Sequence, residues 1–66
     1  MTFAINLKNE LISRSITQEK LAKELGTTQA TVSRWIKGVN QPDFETLFMI
    51  CRILEVTPND LLGWEE

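Results

Sequence analysis

Histidine is absent from these 66 residues, cysteine occurs once, and no apolar run approaches the length of a membrane span. Each shortage excludes something. Without an imidazole, and with a single thiol, the chain has neither a usual zinc ligand set nor the usual partner of an activated nucleophile. Cys51 cannot close an internal disulfide and is expected to be a buried apolar side chain. A bilayer-spanning helix needs roughly 18 or more consecutive apolar residues, so no membrane partner is expected. The opening MTFAINLKNE carries an acidic residue and no small-residue cleavage site, which argues against a signal peptide and for a cytoplasmic protein. Asp43, Glu45 and Glu55 have no histidine or nucleophile to work with, so helix capping and solvation are expected of them rather than catalysis. No enzyme activity, cofactor or metal is expected.

What is present is ordinary for a folded chain. Hydrophobic residues make up 42% and charged residues 24%, which excludes intrinsic disorder. At this length residues 1–66 form one domain at most, with no room for a separate sensor. The net charge of −2 hides a division along the sequence. Up to residue 42, six cations stand against three anions; beyond it, Arg52 stands against six anions. The first part is therefore basic and the second acidic, although an excess of three cations is modest and predicts weak binding to random DNA.

The basic part contains the stretch around which the chain is organised, TQEKLAKELGTTQATVSRWIKG, residues 17–38. Leu21, Ala22 and Leu25, then Val32, Trp35 and Ile36, each recur at helical spacing. Between the two sets lies Gly26, suited to the left-handed residue that ends a helix, and Thr28 can cap the next. Two short helices joined so tightly cross steeply, and the small Ala22 allows close approach, the geometry of a helix-turn-helix. On the second helix, over 29–37, Gln29, Ala30, Ser33, Arg34 and Lys37 share an arc of about 140° at 100° per residue, opposite Val32 and Trp35. One face is apolar; the other is small, polar and basic. Trp35 is accordingly expected in the core, not as a stacking platform for a base.

The remaining elements support this pair. A first helix is predicted over 3–14, with Leu7 and Leu11 inward and Phe3, Ala4 and Ile12 on or beside the same face. Thr17 can cap the second helix, over 18–25. After Gly38 comes a neutral loop with Asn40 and Gln41. Asp43 caps a fourth helix over 44–55, with Leu47, Ile50, Cys51 and Leu54 as its core stripe. Phe44, Phe48, Met49 and Ile53 add apolar surface beyond that stripe, available for closing the core or for a partner. Thr57-Pro58-Asn59-Asp60 reads as a capping box opening a fifth, one- to two-turn helix that ends at Gly63.

Taken together, these residues resemble the helix-turn-helix domain of the lambdoid phage repressor and Cro family, also called the xenobiotic-response-element family. Gln18, Leu21-Ala22, Gly26, Val32, Trp35, Gly38, Pro42 and the closing LEVTPNDLL stand in register, and the likeness covers about residues 7–62. It implies an all-α, compact five-helix lambda-repressor-like domain whose third helix enters the major groove of double-stranded DNA. It also implies a homodimer on a palindromic operator, and we read the chain as a transcriptional regulator, a repressor. The family's base-reading positions fall on Gln29, Ala30 and Arg34, with Ser33 as neighbour. The chemistry agrees: glutamine can pair with adenine, a guanidinium with guanine, and an alanine methyl can meet the thymine methyl. Gln18 matches a glutamine that touches a phosphate and braces the first glutamine of the third helix. Thr17, Thr28, Thr31, Lys37 and Asn40 are assigned to the DNA backbone, which fixes register without reading sequence. Arg34 could serve a base or a phosphate.

Two departures stand out. Where many relatives pair an arginine of the first helix with a glutamate near the end of the third, this chain has Leu11 and Ile36, an exchange that need not weaken the fold. The usually basic loop after the third helix is here the neutral Val39-Asn40-Gln41, so a shallow salt dependence of binding is expected. Phe44, Phe48, Met49 and Trp64 are the candidate dimer interface; Trp64 could instead fold back on the first helix. The alternative function is an antitoxin-like or other protein-interaction module, with an apolar and acidic second half that occupies a protein partner.

Overall fold

Helix ends are set by local chemistry, and the computed structural model, which describes residues 2–63, follows the predicted stops and starts closely. The elements are α1 (Thr2–Ser13), α2 (Gln18–Leu25), α3 (Gln29–Ile36), α4 (Phe44–Leu54) and α5 (Pro58–Leu62), with no strand among the described residues. None of these helices is long and apolar enough to cross a membrane. Thr17, Thr28, Asp43 and Thr57 all cap as expected, each side chain accepting the N–H three residues on. Asp60 returns the favour to Thr57, its Oδ2 accepting the Thr57 N–H at 2.9 Å and completing the capping box.

The C-terminal ends share one device. Gly26 and Gly38 are left-handed, at φ 75° and 77°, and the following N–H groups of Thr27 and Val39 turn back to the carbonyls of Ala22 and Arg34 at 2.9 Å. Ser15 and Glu55 do the same without glycine, at φ 57° and 58°, and they end α1 and α4. Four predicted bounds are corrected: α1 starts at Thr2 and stops at Ser13, α3 stops at Ile36 with Lys37 as its cap, and α4 at Leu54 with Glu55 as its cap.

Leu7, Leu21, Val32, Ile50, Leu54 and Leu61 are fully buried, one to two from each helix, with Phe3, Leu11, Ala22, Trp35, Leu47 and Cys51 around them. Among the described residues no polar or charged side chain is buried, so the core is apolar throughout. The helix-turn-helix pair α2 and α3 makes the most intimate contact, while α1 lies across α3 and α5, and α4 supports α2 and α5. Asn6 ties the two ends of the chain together, its Nδ2 donating to the Leu61 carbonyl at 3.0 Å.

Leu11 is buried and Ile36 half-buried, and they share a depression of about 230 Å³ with Lys8, Ile16, Thr17 and Gln18. Apolar packing thus occupies the positions of the relatives' ion pair. Ile12, expected on or beside the face of Leu7 and Leu11, is 65% exposed and lines this same depression. Leu62 is likewise exposed although its neighbour Leu61 is fully buried.

Candidate nucleic-acid interface

The sharp turn at Gly26 delivers α3 with Val32 and Trp35 buried and its other face outward. Gln29, Ala30 and Arg34 are exposed on that face, and Ser33 is half-buried between them. Lys37 is exposed at the far end, and Thr28 at the near end. Thr17, at the start of α2, and Asn40, in the loop after α3, are also exposed, whereas Gln18 and Thr31 are half-buried. Gln18 and Gln29 make no side-chain hydrogen bond among the described residues.

Charge on this face is uncommitted. The ion pairs among the described residues are Arg14 with Glu10 at 3.0 Å and Lys20 with Glu24 at 3.7 Å. Arg34 and Lys37 therefore keep their charge for an outside anion. The Arg34 guanidinium instead donates from Nη2 to Thr31 Oγ1 at 3.2 Å, and Thr31 Oγ1 lies 3.0 Å from Thr28 Oγ1. Sequence reasoning missed this run of hydroxyls and guanidinium. Its only signal was the three-residue spacing of Thr28, Thr31 and Arg34, which stacks them along one edge of a helix.

The exposed face of α4 has a different character. Phe44 is 78% exposed, Phe48 53% and Met49 45%. Phe44 and Phe48, one turn apart, share a direction. Phe44 lines a depression of about 90 Å³ with Phe3, Pro42 and Leu62, whereas Met49 lines another with Glu24, Arg52 and Ile53. Of the described candidates, Phe44 and Met49 thus line separate depressions, and Leu62 joins the Phe44 side. Trp64 lies outside the described residues. Asp43 opens α4, and its carboxyl is held below the usual carboxylate value by the hydrogen bond from the Thr46 backbone and then by that from its side chain. Burial pushes the Cys51 thiol up, with the nearby Asp60 charge adding to it, consistent with an inert core cysteine.

The structure thus presents a helix-turn-helix whose outer face is polar and carries cations outside any ion pair among the described residues. The family model of the Cro/C1-type helix-turn-helix DNA-binding domain matches residues 6–66. The chain belongs to this family. Among curated proteins it is 33% identical over its full length to the transcriptional activator BcrR of Enterococcus faecalis, and 35% identical over 96% of its length to the uncharacterized transcriptional regulator YqaE of Bacillus subtilis. It spans 32% of the first and 54% of the second. Among solved structures, the P22 c2 repressor in complex with a synthetic operator superposes with a TM-score of 0.85, covering 92% of either chain at 21% identity, a likeness of fold. The relatives of this Cro/C1-type domain are thus regulators of transcription, and the sequence resemblance named above is confirmed.

Proposed function

We propose that this Cro/C1-type domain, residues 1–66, binds a palindromic operator as a homodimer, with α3 in the major groove, and represses transcription by occupying the site. The observation that carries this reading is the outward face of α3: exposed Gln29, Ala30 and Arg34 over a rigid apolar underside. Gln29, Ala30, Ser33 and Arg34 face the bases. Thr17, Gln18, Thr28, Thr31, Lys37 and Asn40 serve the backbone or brace these readers. A dimer would set its two recognition helices one DNA turn apart, roughly 34–36 Å.

The exposure of Phe44 and Phe48 supports the homodimer, since two aromatic rings left in water on one helix face favour burial against a second copy. That same surface favours the second reading, a module that uses this side for another protein. Repression is the simpler consequence of occupying an operator, although the similar BcrR is an activator. Selection from random DNA tests the first reading and should return an inverted repeat; analytical ultracentrifugation of the same preparation should show dimers. A persistent monomer that selects no sequence would favour the second.

A further inference from the structure

We propose that Thr31 is a positioning residue for Arg34, and that through it the guanidinium reads a guanine base instead of a phosphate. This rests on the DNA-binding reading above and deepens it, since Thr31 was otherwise assigned to the DNA backbone. The Arg34 Nη2 donates to Thr31 Oγ1 at 3.2 Å, one helical turn back. A guanidinium can only donate, so Thr31 Oγ1 is the acceptor there. That oxygen lies 3.0 Å from Thr28 Oγ1, which also accepts the Thr31 N–H at 3.2 Å. Both the backbone N–H and the hydroxyl of Thr31 therefore meet one atom, the capping Thr28 Oγ1, and this half-buried hydroxyl is the anchor for the longer side chain.

The consequence is directional. An unrestrained arginine can swing from the end of α3 toward either flanking phosphate. This one is drawn back toward the N-terminal half of α3, the half whose residues meet base edges when such a helix lies in the major groove. The bond to Thr31 engages one donor and leaves the others for the O6 and N7 acceptors of guanine. Holding the side chain beforehand also reduces the rotamer freedom lost on binding, which matters for a residue as flexible as arginine. No carboxylate competes for the group among the described residues.

Thr31→Val keeps the shape and removes the acceptor; Thr31→Ser keeps the acceptor. The test is quantitative binding of wild type, Arg34→Ala, Thr31→Val and Thr31→Ser to the selected operator and to every single-base change in one half-site, with thermal melting of each protein. Arg34→Ala should flatten the preference at one G·C pair. Thr31→Val should reduce that same preference by about three- to tenfold, as expected for losing one exposed charge-assisted hydrogen bond, with the other positions and Tm unchanged. Thr31→Ser should restore it. A uniform loss of affinity across all sequences in Thr31→Val would place Thr31 on a phosphate and overturn the proposal. So would an unchanged preference at the Arg34-dependent pair. A wild-type chain that selects no sequence would instead overturn the DNA reading itself, and the proposal with it.

Discussion

Helices α3 and α4 are built alike but present different outward faces. Each buries an apolar stripe, Val32 and Trp35 in one, Leu47, Ile50, Cys51 and Leu54 in the other, and each is opened by a side-chain cap. Their outward faces differ. That of α3 is glutamine, alanine and arginine behind a neutral threonine cap, while α4 shows Phe44, Phe48 and Met49 behind an aspartate cap and beside Glu45. A polar, cationic helix whose N-terminus carries no negative charge suits a polyanion; an apolar helix with carboxylates at its start repels one and suits a protein surface. The difference teaches that a weak overall charge is no obstacle to a DNA-binding reading, because the excess cations and the excess anions belong to different parts of the chain.

The largest effect should come from the layer that both faces stand on. Ile50 is fully buried, and Ile50→Ala removes packing worth about 2–5 kcal/mol. A domain this small has a total stability not much larger, so urea unfolding should show a mostly unfolded population, with both surfaces lost together. Next comes the α4 face alone. Phe44→Glu with Phe48→Glu should give monomers in sedimentation and lower operator affinity by about a hundredfold or more, the order of gain that linking two sites provides. Monomer stability should stay within about 0.5 kcal/mol, as for other exposed positions. An unchanged dimer would move the interface elsewhere.

The α3 face is probed by exchanging its cap for that of α4. Thr28→Asp keeps an efficient N-cap, so Tm should hold, yet it brings a carboxylate to the proposed phosphate side and should weaken operator binding by about tenfold or more at low salt. Gln29→Ala and Arg34→Ala should each cost about 1–3 kcal/mol in discrimination between correct and altered operators, with stability again within about 0.5 kcal/mol. Normal operator binding by both alanine variants would remove α3 from the interface.

Much of this arrangement was legible in the sequence, for identifiable reasons. Threonine and aspartate caps, Gly26, Gly38 and the capping box at Thr57 act through neighbours within a few residues, so their meaning survives without coordinates. The left-handed Ser15 and Glu55 were not legible, because there the packing of Ile16 and Val56 against the core overrides a local preference for glycine. The exposure of Ile12 depended on how the helices pack, which the spacing of apolar residues along α1 does not specify. The division of roles among Gln29, Ala30, Ser33 and Arg34 depends on the DNA as much as on the chain, and the anchoring of Arg34 by Thr31 depends on rotamers that periodicity does not specify.

The smallest expected effect is one of pH, and it separates the two helices by their caps. The Thr46 N–H donates to the Asp43 carboxylate at 2.9 Å, which favours the ionised form and lowers the folded pKa below the unfolded one. Stability from this cap is therefore complete above the ordinary carboxylate value and is lost as pH falls through the folded one. The hydroxyl cap of α3 does not titrate in that range. Asp43→Asn retains an acceptor for the Thr46 N–H without the proton equilibrium, so its Tm should fall less steeply than that of wild type as pH is lowered from about 5 to about 2, where native carboxylates become protonated. The remaining acid dependence, from the other carboxylates, is common to the two proteins and cancels in the difference. Thr28→Asp should add a comparable acid-sensitive component at α3, and its absence would mean that the start of α3 does not hold a carboxylate as the start of α4 does.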